Sequence, residues 1–214
     1  MLRCALFGTT ALLLVMPASA GQNGLYVGIE GGASFIQTMD GVETFSGLTF
    51  FERIDVDTGW AVLATVGYEW DNWRLEGELG YRNNDMERIR FHTGGTSADI
   101  DDLSQLTLMA NLLYDITLHP NVTLSLGAGV GVDRLNFEWP GFGQPGGVEG
   151  DDWSFAYQGI VGLNYAFDAS CEAFVNYRYL NADELDFVDG INHQHFEDIG
   201  THTVSVGVRY SFGP

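Results

Sequence analysis

The sequence predicts an all-β protein: an eight-stranded antiparallel up-and-down transmembrane β-barrel with short periplasmic turns and four long extracellular loops. Three observations predict it. Apolar and polar residues alternate in eight separate segments. The connections between those segments alternate long and short. No apolar run beyond residue 20 approaches the ~20 residues that a membrane helix needs, so any crossing falls to strands.

The last segment is the clearest. Val204, Val206, Val208, Tyr210 and Phe212 share one parity, and Thr203, Ser205, Gly207, Arg209 and Ser211 share the other. Strand side chains point to opposite faces in turn, so one face is apolar and the other small or polar. The same pattern runs through 25–35, 60–69, 73–82, 106–115, 122–133, 155–165 and 171–179. Its apolar parity is assigned to lipid. A soluble sandwich strand shares this alternation, but it does not require aromatic residues gathered at both strand ends. Here Trp70, Trp73, Tyr114, Tyr165, Phe167, Tyr210 and Phe212 fall near one end, and Phe35, Trp60, Phe155 and Tyr179 near the other. Amphipathic rings favour the headgroup level, which predicts two girdles.

The short connections are Trp70-Asp71-Asn72, 116–121 and 166–170, and the long ones are 36–59, 83–105, 134–153 and 180–201. That order suits hairpins with tight turns on the inner side of a membrane and long loops outside. The long loops hold most acidic residues, among them Asp99, Asp101, Asp102, Glu149, Asp151, Asp152, Asp183, Glu184 and Asp186.

Residues 1–20 read as an export signal: Arg3 at the positive end, an apolar stretch over 11–16, and Ala18-Ser19-Ala20 as the cleavage site. Residues 21–214 then form the barrel domain. Only Cys171 remains beyond the signal, so no internal disulfide supports the fold. The chain has no lysine, 29 acidic residues and a formal net charge of −20, which argues against nucleic-acid binding. Its 45% hydrophobic and 13% aromatic content argues against disorder.

Backbone groups facing lipid must all be paired, so the strands close into a ring. Eight strands leave an interior that side chains fill. The inward parity carries a candidate charge network of Arg74, Glu76, Glu78, Arg82, Asp115, Glu172, Arg178 and Arg209, with Glu30 and Glu69 as further carboxylates. Such charges are tolerable when paired, and they are expected to plug the lumen rather than conduct ions.

In Leu25-Tyr26-Val27-Gly28, Gly59-Trp60, Leu79-Gly80-Tyr81-Arg82, Ala110-Asn111-Leu112-Leu113-Tyr114-Asp115, Tyr177-Arg178-Tyr179 and Gly207-Val208-Arg209-Tyr210-Ser211-Phe212, the chain resembles the small outer-membrane barrels of the Gram-negative surface-antigen and opacity-protein group, including the porin family of alphaproteobacteria. The resemblance implies an outer-membrane location, surface-exposed loops, and roles in envelope integrity or adhesion. Outer-membrane lipid and lipopolysaccharide are then the expected surroundings, with divalent cations expected to bridge the acidic loops to the anionic lipopolysaccharide, and a host or extracellular ligand is expected at those loops. The resemblance also implies recognition of the terminal aromatic by the barrel-assembly machinery, although Gly213-Pro214 follow Phe212 here. A narrow porin for small solutes or ions is the alternative.

Some barrels of this size are lipid A-modifying enzymes. A deacylase-like site needs His and Ser two apart on one strand. His202-Thr203-Val204-Ser205 spaces them by three, which puts them on opposite faces. No catalytic residue and no cofactor is therefore expected. The run His193-Gln194-His195 with neighbouring carboxylates and the acidic stretches 99–102 and 149–152 read as solvated loops, since none has the spacing of a defined metal site. Gly127, Gly129 and Gly131 lie within a strand pattern and lack the strand-to-helix setting of a phosphate loop.

Overall fold

A computed structural model describes residues 23–37, 39–45, 48–56, 58–84, 86–91, 103–139, 148–182, 185–189, 192–196 and 199–212. The expected export signal lies outside these residues. The strands are β1 (Gly24–Ile36), β2 (Met39–Phe45), β3 (Leu48–Val56), β4 (Gly59–Trp70), β5 (Trp73–Asn84), β6 (Met86–Phe91), β7 (Leu103–His119), β8 (Val122–Trp139), β9 (Val148–Ala166), β10 (Cys171–Ala182), β11 (Leu185–Asp189), β12 (Asn192–Phe196) and β13 (Ile199–Ser211).

Eight of them form a closed barrel in the order β1-β13-β10-β9-β8-β7-β5-β4. Each pairs antiparallel with its neighbours, and β1 pairs with β13 from Tyr26↔Ser211 to Ile36↔Thr201, which removes the last free edge. Following partners around the ring from Ile36 gives Thr201, Leu180, Gln158, Gly129, Asn111, Glu76, Gly67 and then Tyr26. The return is offset by ten residues on β1 (36 minus 26). With eight strands, that stagger tilts them by about 40° and sets the backbone roughly 8 Å from the axis. Side chains reaching inward from all sides fill such a ring.

The two faces separate as the alternation requires. Val27, Ile29, Val62, Val66, Leu75, Leu79, Leu108, Leu112, Val161, Leu163, Val204, Val206 and Val208 point outward. Glu30, Arg74, Glu76, Glu78, Arg82, Asn111, Gln158, Asn176, Arg178, Ser205 and Arg209 are buried inside. At the short-turn end, ring pairs sit at 4.9 Å (Trp73 with Tyr114), 5.3 Å (Tyr165 with Phe167) and 5.1 Å (Tyr210 with Phe212). At the far end, Trp60 packs 5.5 Å from Tyr81, and the Arg134 guanidinium lies 5.8 Å from the Trp153 ring.

The long connections differ from the expected irregular loops. β2, β3, β6, β11 and β12 form a second antiparallel sheet in the order β11-β12-β2-β3-β6. Each of its strands lies next in sequence to a barrel strand, and the order repeats that of β10, β13, β1, β4 and β5. The third long connection is shortened because β8 and β9 pair continuously from Val122↔Tyr165 to Trp139↔Val148. These strands escape the periodicity reading for a physical reason. They are short, at 5 to 9 residues each, and carry charged residues in both parities, so only β3, with Leu48, Phe50, Ile54 and Val56 on one parity, keeps a trace of alternation.

The lipid assignment predicts a depth-dependent response. Val206, 62% exposed in the middle of β13, is expected to lose about 2–4 kcal/mol on replacement by Arg, whereas Leu25→Arg at the barrel rim loses about 0–1 kcal/mol. Denaturant unfolding in lipid vesicles measures both; equal losses would contradict a bilayer around the waist.

Candidate functional site

The lumen holds the candidate residues, because inward positions on successive strands converge on one axis. They form two clusters at different depths. The first lies toward the short-turn end. Arg74 on β5 ion-pairs with Asp115 on β7 at 2.7 Å and with Glu76, two residues along its own strand, at 3.2 Å. Arg74 also donates to Ser125 Oγ at 2.7 Å, and the Ser125 hydroxyl donates to Asp115 at 2.6 Å. The Tyr26 hydroxyl donates to Glu76 at 2.7 Å. Arg209 on β13 pairs with Glu172 on β10 and lies 3.6 Å from Glu76. Its guanidinium sits against two rings, Tyr26 at 4.9 Å and Phe174 at 5.0 Å.

The second cluster lies at mid-depth. Arg178 on β10 holds Glu30 of β1 with a two-point fork, Nη2 to Oε1 at 2.6 Å and Nη1 to Oε2 at 2.7 Å. Its Nε reaches Glu78 of β5 at 3.3 Å. Glu30 also accepts from the Ser205 hydroxyl at 2.6 Å and the Asn176 amide at 3.1 Å. Glu78 also accepts from Asn111 at 2.9 Å and Gln158 at 3.3 Å, and Gln158 donates to Asn111 at 2.8 Å. A forked arginine–carboxylate pair with its remaining lone pairs occupied meets the condition under which buried charge is stable.

Inward glycines make room for these groups. A Cβ on Gly207 would stand 2.5 Å from the Phe174 ring and 2.6 Å from Glu30. The absent side chain is therefore the space in which Phe174 and Glu30 pack.

Arg82 behaves differently from the other three lumen arginines. Among the described residues, no carboxylate lies within ion-pair distance of it. It donates to Thr203 Oγ1 and Thr107 Oγ1, each at 3.1 Å, and its Nη2 has no partner. Above it, Gln105 donates to Asp133 at 2.8 Å. Thus the candidate residues divide into Arg74, Glu76, Asp115, Glu172 and Arg209 in one cluster, Glu78 and Arg178 in the other, and Arg82 apart.

Several partners were not among the candidates: Tyr26, Asn111, Ser125, Gln158, Asn176 and Ser205. Their signal was their inward parity. Polar uncharged residues at such positions are the hydrogen-bond partners that buried carboxylates require.

His202 and Ser205 stand on opposite faces. His202 stacks outside with Tyr177 and Tyr179, and its Nδ1 lies 2.7 Å from the Tyr177 hydroxyl, while Ser205 bonds Glu30 inside. The side chains of the His193–His195 run and of 149–152, and the whole of 99–102, lie outside the described residues. Among the described residues, no group of three or more His, Cys, Asp or Glu could hold a metal ion.

A family model described as "Outer membrane protein beta-barrel domain" matches residues 6–212. No curated protein matches the chain. Among solved structures, the fold is similar to that of Neisserial surface protein A, with a TM-score of 0.55 and 18% identity over 88% of this chain and 97% of that one. It is also similar to OprG from Pseudomonas aeruginosa, with a TM-score of 0.54 and 16% identity over 91% and 99%. The outer membrane protease OmpT from Escherichia coli gives 0.51 and 8% over 89% and 97%.

Unequal pairing of the arginines predicts unequal effects. Arg178→Met strands Glu30 and Glu78 and is expected to lose about 3–5 kcal/mol in denaturant unfolding, as for other broken buried pairs. Arg82→Met removes an unpaired cation and is expected to lose less than half of that. A larger loss at residue 82 would show that the mid-depth fork is not the stronger interaction.

Proposed function

The chain belongs to the outer-membrane β-barrel family, and from that premise we propose that it is a structural and surface-interaction barrel with a closed lumen. In this reading the barrel contributes to envelope integrity, and its acidic long loops meet an extracellular or host ligand. The lumen carries the reading. Arg178 with Glu30 and Glu78 at one depth, and Arg209 with Glu76 at another, cross a ring whose strand number and stagger leave a backbone radius of roughly 8 Å. Side chains committed to one another across such a ring leave no continuous path for solute.

The concentration of acidic residues in the long connections of the sequence supports the second half of the proposal. A barrel anchored by lipid on its apolar face leaves its specificity to its loops. Lipopolysaccharide contact bridged by divalent cations is part of the same reading. So are export with cleavage near Ala20 and assembly by machinery that recognises the terminal strand.

The fold alone does not decide catalysis, since a protease shares it. The opposite placement of His202 and Ser205 favours a non-enzymatic role, because no nucleophile–base hydrogen bond joins them.

Planar-bilayer recording of the refolded protein tests the closed lumen, with no discrete openings expected. Arg209→Ala is expected to lower the melting temperature without adding conductance. Discrete openings in the unaltered protein would replace this reading with a narrow porin, and mass-spectrometric detection of altered lipid A would replace it with an enzyme. Shortening the long connections is expected to abolish surface binding while heat-modifiable gel mobility persists.

A further inference from the structure

The register of the five-stranded sheet decides which of its residues share a face, because directly opposed residues of an antiparallel pair lie on the same side. One row runs Leu185, Phe196, Gly41, Glu52, Phe91 across β11, β12, β2, β3 and β6. On the same face Ile54 opposes both Met39 and Ile89, and Phe50 opposes Glu43. The other face aligns Asp186 with His195, Arg53 with both Asp40 and Arg90, and Asp55 with Arg88. Five strands in register thus make a division that their separate sequences hardly show: one face is largely apolar, interrupted by Glu43 and Glu52, and the other largely charged.

The apolar face carries the same parity as the lipid-facing wall of the barrel. Phe35, Tyr81 and Tyr177 are exposed on odd numbers in β1, β5 and β10, and odd numbers place Met39, Ile89 and Leu185 on the apolar face of β2, β6 and β11. Trp60 and Val204 are exposed on even numbers in β4 and β13, and even numbers place Ile54 and Phe196 on that face of β3 and β12. All five breaks between barrel and sheet strands preserve the parity.

Those breaks also fall in one row. β1 ends at Ile36, which pairs with Thr201 near the start of β13, and β13 begins at Ile199, which pairs with Ala182 at the end of β10. β4 begins at Gly59, opposite Ser34, and its Trp60 pairs with Asn83 near the end of β5. β8 and β9 run on past this level without a break. On β4 the ten residues from Trp60 to Trp70 rise about 25 Å at a tilt of about 40°, the height of the apolar band of such barrels. The hydrocarbon band therefore ends at the row of breaks, where the apolar face of the sheet begins.

We propose that the sheet bends at this row and docks through its apolar face on the hydrocarbon–headgroup boundary of the outer leaflet around its own barrel. Continuity with the lipid-facing wall names the occupant. An element apolar on one side and charged on the other is the kind that lies in a membrane interface. Five strands about 4.8 Å apart and some six residues long give a face of about 500 Å², as large as the largest apolar patches that soluble proteins leave in water. A second copy of the chain fits less well. That area falls short of the roughly 800 Å² per partner of a stable interface. A self-complementary contact also brings Glu43 and Glu52 of both copies into one apolar layer. The inference goes beyond the closed lumen and stands whether or not the lumen conducts, and it leaves the charged face open to an extracellular ligand.

Site-directed fluorescence in phosphatidylcholine vesicles tests the docking. The fluorophore NBD is attached to Phe50→Cys or Phe51→Cys, adjacent residues on opposite faces, in the full chain carrying Cys171→Ser. Lipid spin-labelled near the headgroup is expected to quench the label at residue 50 at least about threefold more than that at residue 51. The contrast is expected to persist as protein is diluted in lipid. A label at Val206→Cys reports insertion of the barrel wall, so its quenching separates failure of the docking from failure of the membrane barrel itself. If Phe50→Cys does not show heat-modifiable mobility, Phe187→Cys against Val188→Cys on β11 reads the same contrast. Equal quenching on the two faces overturns the proposal, as does an unquenched label at residue 50 beside a quenched one at residue 206. Protection at residue 50 that fades on dilution in lipid also overturns it, and assigns the face to a second copy instead.

Discussion

Every backbone N–H and C=O of a segment inside a bilayer must find its partner in the protein, because lipid offers none. The rest of the architecture follows from that requirement. It forces the pairing of β1 with β13, and so forces a ring. The ring creates an inside from which water is largely excluded, and the sequence places four arginines there. Those charges in turn demand carboxylates, amides and hydroxyls from neighbouring strands. The polar lumen is thus a consequence of closure, in which each barrel strand must be apolar toward lipid and self-satisfied toward the axis.

The division of labour among the lumen charges follows from geometry. Arg178 reaches across to Glu30 and Glu78 on strands that are not its neighbours, so it ties distant parts of the wall together. Arg74 acts locally, between β5 and β7. Arg209 is partly sheltered by two aromatic rings, whose faces favour a cation. Arg82 is served by threonine hydroxyls and feels its carboxylates only at longer range. Cross-lumen ties of the first kind constrain the shape of the ring more than pairs between adjacent strands, which the backbone ladder already fixes.

The barrel was legible in the sequence because lipid writes a strict code. Val204, Val206 and Val208 face hydrocarbon, and the residues between them do not, so parity alone separates the faces. The short turns were legible for the same reason: Asp71 and Asn72 interrupt the alternation between two tryptophans. Strand ends were less so, as β7, β8 and β9 run past the points where alternation fades. The sheet of β2, β3, β6, β11 and β12 was hardly legible, since its strands are too short to sustain a period and only β3 keeps an apolar parity. Inside the lumen, sequence parity gave the residues but not their partners. Which arginine meets which carboxylate depends on the ten-residue stagger, and stagger is a property of the closed ring rather than of any one strand.

That stagger also has to be selected during assembly. Sliding β13 along β1 by one residue would turn valines inward and is forbidden by the pleat. Sliding by two keeps every valine in hydrocarbon, so the outer surface is blind to the error. The interior is not blind, because a two-residue slip moves Ser205 away from Glu30 and carries Arg178 off the same carboxylate. The buried polar groups therefore serve as a vernier, distinguishing the native closure from its neighbours where solvent exposure cannot.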